Sequence, residues 1–189
     1  MSGAVFLHHD QDSLDRAYDQ RVWARDMDAV MARLAARGEE ARARLGPQTR
    51  RYGPGADEVL DVFAAGPGAP VHVHVHGGAW RALGRGDASF LAPAFVKAGV
   101  TLVVPDFTNL PLGRMPGMAA QVAAAVAWTA QHAAEFGGDP DRLTLSGHSS
   151  GAHLAAVVAT GAGGPGRFRQ ARSGRCCWSA APMTSSRCC

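Results

Sequence analysis

The stretch Gly147-His148-Ser149-Ser150-Gly151 constrains the fold of this chain more than any other. The short run Leu143-Thr144-Leu145-Ser146 before it reads as a strand, and Ser150 to Thr160 after it reads as a helix. A G-x-S-x-G segment in that context is a sharp, strained strand-to-helix turn that lifts the serine hydroxyl above the C-terminal edge of a sheet. Gly147 and Gly151 leave room for the neighbouring backbone. The start of the helix directs backbone N–H groups at the point where negative charge develops on an attacked carbonyl. Ser149 is therefore the expected nucleophile, and the Ser150 amide an expected oxyanion donor. The bland alternative is a glycine- and serine-rich turn in which Ser149 only caps the helix.

A second motif weighs against that alternative. His76-Gly77-Gly78-Ala79-Trp80 directly follows an apolar strand, Val71 to Val75, about seventy residues before the serine. In that position it is expected to supply the other half of an oxyanion hole, through the amides of Gly78 and Ala79. His76, Gly77 and Trp80 complete the motif.

Along the rest of the chain, Ser13 to Leu45 reads as one helix, with Gly38 a candidate interruption, ending at Gly46-Pro47. Val59 to Phe63 alternates as a strand. Asp87 to Ala98 reads as a helix, Val100 to Val104 as a buried strand, and Met118 to Phe136 as a long helix closed by glycines. Strand and helix alternate from about residue 70, which predicts an α/β fold with a mostly parallel sheet and crossover helices. The organisation expected is an N-terminal helical segment over 1–50, an α/β core over 51–162 and an anomalous tail over 163–189.

The chain has 189 residues, 47% apolar and 7% aromatic, with a formal charge of +3. The arginines form no dense patch beside aromatics, so no nucleic-acid partner is expected. No stretch reaches the roughly 18 apolar residues of a membrane span, and no secretory leader is evident. The expectation is a cytoplasmic protein without a membrane partner. His72, His74 and His76 share one face of their strand. Three such histidines suit zinc, but a parallel core strand buries both faces, and His76 is expected to hydrogen-bond to hold its own loop; no metal is expected. His148 and His153 lie too close to Ser149 in sequence to reach it as general base from across a pocket.

These motifs resemble those of the arylformamidases (kynurenine formamidases) of the α/β-hydrolase superfamily. The resemblance rests on His76 to Trp80, continued by Arg81-Ala82-Leu83 and Asp87 to Pro93, on His132 to Arg142, and on Gly147 to Gly151 with His153-Leu154-Ala155. Leu14 to Tyr18 and Arg21 look similar as well. It covers roughly residues 12 to 162 and implies an α/β-hydrolase fold. It also implies hydrolysis of N-formylkynurenine to formate and kynurenine, in tryptophan breakdown, without a cofactor. The implied partner is a small-molecule acyl substrate, and a homodimer is admitted. The run Pro105-Asp106-Phe107-Thr108-Asn109-Leu110-Pro111 departs from the family, whose members commonly carry a tyrosine there. A carboxylesterase or amidase acting on another small acyl group therefore stays open.

After about residue 163 the sequence changes character. It loses apolar periodicity where the fold needs another strand, and gathers all four cysteines, Cys176, Cys177, Cys188 and Cys189. Read from the third base of each codon, Cys176 to Ser179 becomes Leu-Leu-Val, Met183-Thr184 forces an aspartate, and Cys188-Cys189 forces a leucine. The shifted frame thus restores an apolar strand, so a frameshift between about Thr160 and Gln170 is expected, with the C-terminal part of the fold missing. In this superfamily the triad acid and histidine follow the serine. Beyond Ser149 the chain holds no Asp or Glu, and His153 is its only histidine. Little or no activity and poor solubility are expected, and a catalytically dead product is the third reading.

Overall fold

The computed structural model describes residues 3–161. The tail, its cysteines and the frame change lie outside them. Helices α1 (Gln11–Tyr18) and α2 (Met27–Leu45) come first, then strands β1 (Gln48–Arg51), β2 (Val59–Phe63) and β3 (Ala69–Val75). Helices α3 (Arg85–Ala88) and α4 (Ala92–Lys97), strand β4 (Thr101–Pro105), helix α5 (Met115–His132), strand β5 (Gly138–Gly147) and helix α6 (Ser150–Ala159) follow.

The strands form one sheet in the order β1-β2-β4-β3-β5. β3 pairs parallel with β4 and with β5. β1–β2 and β2–β4 are antiparallel, so the sheet is mixed. The parallel part follows from the crossovers, because α3–α4 join β3 to β4 and α5 joins β4 to β5. Alternation along β3 assigns its two faces. Val71, Val73 and Val75 pack with Val122 and Val126 of α5 and Leu154 of α6 in one core. On the opposite face, His72 stacks on Phe95 of α4, and Phe63, Leu102 and Val104 form a second core. Each fully buried Val or Leu contributes roughly 1.5–3 kcal/mol. The crossovers lie on opposite faces, and in open α/β sheets of that kind ligands bind at the carboxyl ends of the strands. The ends of β3 and β5 carry the two motifs.

The long N-terminal helix expected from the sequence is broken. α1 ends at Tyr18, a 3-10 turn covers Gln20–Val22, and α2 starts at Met27. The cause is Asp19, whose extended backbone stops α1 and whose carboxylate accepts the Arg21 N–H at 3.0 Å. Gly38 does not interrupt α2. It is buried there, and a side chain at its position would run into the Gly86 carbonyl, so it lets α2 lie against α3. The helix expected over 87–98 is divided by a 3-10 turn at Ser89–Leu91, and β1 is a strand the sequence reading did not include.

Candidate active site

β5 ends at Gly147 and α6 begins at Ser150, so Ser149 occupies the turn between them with φ 51° and ψ −121°. Such a conformation costs a non-glycine residue about 1–3 kcal/mol and persists only where the surroundings enforce it. The surroundings here are backbone. A Cβ on Gly147 would overlap the Gly151 carbonyl, and one on Gly151 would overlap the carbonyls of Val75 and His76. Both motif glycines are thus required by close approach of α6 to its own elbow and to β3. The His148 N–H donates to the Val75 carbonyl at 3.0 Å, which extends the β3–β5 pairing into the elbow.

The His76–Trp80 loop lies directly against the serine. A Cβ on Gly77 would sit 3.2 Å from Ser149 Cβ. Gly78 has φ 114°, and Ala79 and Trp80 also take positive φ, 52° and 61°. The Trp80 N–H donates to Ser150 Oγ at 3.3 Å, tying loop to elbow. Among the described residues the amides of Gly78, Ala79 and Ser150 carry no hydrogen bond. All the residues expected at the site are thus brought together: Ser149, Ser150, Gly147 and Gly151 on the elbow, and His76, Gly77, Gly78, Ala79 and Trp80 on the loop.

The histidines divide by environment. His76 is buried and stacks on Phe107 with ring centroids 4.4 Å apart. Its Nδ1–H donates to the Gly77 carbonyl at 2.8 Å, which bends the loop back on itself. Nε2 then carries the lone pair, 3.6 Å from Asp106 Oδ1. Burial pushes the His76 pKa down, against the opposing pull of Asp106. Asp106 is already neutralised by Arg85, so the neutral ring prevails.

His72 and His74 belong to a one-way hydrogen-bond chain. His74 Nδ1 and Ser146 Oγ are 2.8 Å apart, Ser146 Oγ and His72 Nε2 2.7 Å, and His72 Nδ1 and Thr144 Oγ1 2.7 Å. The Thr144 hydroxyl donates on to the Val71 carbonyl at 3.3 Å, which fixes the direction of every donor before it. The His72 lone pair is consumed by Ser146, and desolvation pushes both rings down to about pKa 4. That arrangement suits half-buried neutral imidazoles whose ring nitrogens are taken up by hydroxyls. Among the described residues no group of three His, Cys, Asp or Glu side chains is placed to hold a metal ion. No helix among them is long and apolar enough to cross a membrane. His148 and His153 are exposed, and His153 meets the Trp80 ring edge-on at 5.8 Å.

Beneath the loop lies a charge ladder that the sequence reading missed. Asp61 on β2 is fully buried and takes ion pairs from Arg42 of α2 and, at 3.2 Å, from Arg85 Nε. Arg85 also pairs with Asp106, and its backbone N–H donates to Asp106 Oδ1 at 2.6 Å. Thr49 Oγ1 donates to Asp61 at 2.6 Å, and the Tyr52 hydroxyl to the Asp106 carbonyl at 2.6 Å. Two arginines face two aspartates, so the ladder is neutral. Burial lowers the Arg42 pKa and raises that of Tyr52. A charged residue at the centre of Val59-Leu60-Asp61-Val62-Phe63 was the signal that could have revealed it.

Known proteins resemble this chain in sequence and fold. Esterase LipQ of Mycobacterium tuberculosis is 38% identical over 121 residues, covering 60% of this chain and 29% of that protein. Kynurenine formamidase of Danio rerio is 34% identical over 158 residues, covering 78% of this chain and 53% of that protein. The chain thus spans about half the length of these curated relatives, or less. A crystal structure described as a thioesterase from Silicibacter sp. superposes with a TM-score of 0.64 at 30% identity, over 75% of this chain and 53% of that one. The sheet with its flanking helices is that of the α/β-hydrolase superfamily. The BD-FAE family model matches residues 60–169, more than half of the chain and both motifs, and the chain belongs to that family.

Proposed function

We propose that this chain carries the nucleophile and oxyanion hole of a serine acyl hydrolase acting on a small formamide, N-formylkynurenine being the leading substrate. One observation carries the reading. Ser149 is held in a strained elbow at the start of α6, against a glycine loop whose Gly78 and Ala79 amides are free of other hydrogen bonds. Ser149 Oγ attacks the formyl carbonyl and gives its proton to water, no side chain among the described residues being hydrogen-bonded to it. The amides of Gly78, Ala79 and Ser150 hold the negative oxygen. Collapse breaks the C–N bond as the amine takes a proton, and water then releases formate from the serine. The likeness to kynurenine formamidase over most of the chain supports this substrate. The likeness to an esterase supports a second reading, hydrolysis of a carboxylic ester at the same serine.

Base and acid are the weak part of this machinery. After Ser149 the chain holds only His153, which is exposed and turned to Trp80. With no side-chain base hydrogen-bonded to Ser149 among the described residues, slow turnover is expected, as when triad members are removed. The test is labelling with a fluorophosphonate, together with turnover of N-formylkynurenine and of a p-nitrophenyl ester. Slow labelling at Ser149 and weak formamide turnover, both abolished in Ser149→Ala, are the expected results. Ester turnover alone selects the second reading, and absence of labelling and turnover refutes both.

A further inference from the structure

The ladder under the site shares atoms with the loop that bears the oxyanion donors. We infer that Arg85 is a positioning residue for the Gly77–Trp80 loop, acting through Asp106 and backed by Arg42 and Asp61. The inference rests on the proposed role of that loop.

Chain order supplies the first argument. The loop leaves β3 at His76 and ends where α3 begins, at Arg85. Asp106 holds the α3 end, where its Oδ1 accepts the Arg85 N–H at 2.6 Å, and the same oxygen lies 3.6 Å from His76 Nε2 at the β3 end, beyond hydrogen-bond reach. One carboxylate is therefore bonded at one end of the loop and packed near the other. Its position in turn depends on the Arg85 guanidinium, which bridges Asp106 and Asp61. Asp61 is fully buried, and Arg42 compensates its charge from α2. A planar guanidinium can engage two carboxylates at once, whereas an ammonium acts as a point charge.

The second argument is where the loop's other hydrogen bonds lead among the described residues: within the loop itself, to the elbow through the Trp80 N–H and Ser150 Oγ, or to the segment that follows Asp106. Arg81 and Ala82 donate only to the Gly78 carbonyl, each at 3.0 Å. Across the loop, Leu110 N–H donates to the Trp80 carbonyl at 2.7 Å and Asn109 Nδ2 to the Leu83 carbonyl at 3.1 Å. Leu110 and Asn109 belong to the segment that Asp106 opens as it leaves β4. Moving Asp106 would therefore disturb the loop from its base and from its flank.

Arg85→Lys keeps the charge and Asp106→Asn keeps the shape, so both variants are expected to fold. Two measurements decide. Hydrogen exchange at the Arg81, Ala82 and Leu110 amides should accelerate about tenfold in each variant, while the β3 amides stay at the wild-type rate. Fluorophosphonate labelling of Ser149, per folded molecule, should slow by about tenfold or more, because misplacement near 1 Å costs about a hundredfold. Unchanged exchange at the three amides, acceleration shared equally by β3 and α5, or labelling at the wild-type rate would each overturn the inference. A wild-type protein that resists labelling would remove the hydrolase reading instead, and the exchange rates would still decide whether Arg85 anchors the loop.

Discussion

Gly77→Ala is a direct probe of how tightly the loop is seated on the serine. The added methyl would lie 2.8 Å from His148 Nδ1, 3.0 Å from the His148 carbonyl oxygen and 3.2 Å from Ser149 Cβ. The His148 side chain is exposed and can swing aside. The other two atoms are elbow backbone and the nucleophile itself, and each must give by a few tenths of an ångström. Overpacking of this kind costs about 1–2 kcal/mol, or about 3–6 °C in Tm for a chain of this size. If 1 Å of misplacement costs about a hundredfold, a few tenths should slow Ser149 labelling about three- to tenfold. The assay is fluorophosphonate labelling beside thermal unfolding. Gly117→Ala on α5 is the control, since its Cβ would meet nothing within 4 Å, and it should stabilise by about 0.5–1 kcal/mol with labelling unchanged. A Gly77→Ala protein with wild-type Tm and labelling would refute the close packing of loop on elbow. Gly151→Ala should be worse on both measures, because its methyl would strike the carbonyls of Val75 and His76.

Other expectations follow from burial and charge. Folding depresses the His72 and His74 pKa values from 6.5 to about 4, so the unfolded chain binds more protons between those limits. Stability is complete above about pH 6.5 and falls toward pH 4, by up to about 3 kcal/mol per ring and less for the coupled pair; urea unfolding between pH 7.5 and 4.5 would show it, and a flat profile would contradict it. Replacing His74 with Gln should flatten part of that slope. Asp61→Ala leaves Arg42 and Arg85 facing each other and should cost about 3–5 kcal/mol, read as loss of a cooperative melt. Sequencing the DNA across codons 155 to 175 should locate an inserted or deleted base; an intact single frame there would refute the frame change. The BD-FAE match ends at residue 169, inside the stretch where the sequence changes character.

The two motifs were legible because each makes a local demand that few residues meet. The elbow needs glycine at 147 and 151 whatever else the fold contains, and the loop needs glycine at 77 and 78. Valines at 71, 73 and 75 likewise announced one face of β3. The ladder was not legible, because Arg42, Asp61 and Arg85 come from three elements and Asp106 from the segment after β4, and they share no period. Only the tertiary fold brings them together. β1 escaped because Gln48-Thr49-Arg50-Arg51 has no apolar face and is a strand only through its pairing with β2. The break at Asp19 escaped because helix propensity carries through it, and a side-chain hydrogen bond to the Arg21 amide decides against helix.

Five non-glycine residues among those described have positive φ, and four of them, Ala79, Trp80, Leu83 and Ser149, belong to the loop or the elbow. At about 1–3 kcal/mol each, the least relaxed backbone of the domain is gathered around one hydroxyl. Selection for stability and selection for catalysis would then pull apart at these positions. Ala79→Gly should relieve strain and raise the melting temperature. It would also loosen a donor whose value lies in being held still. A thermostability screen of this chain should therefore enrich substitutions at the site, and those are the ones to distrust.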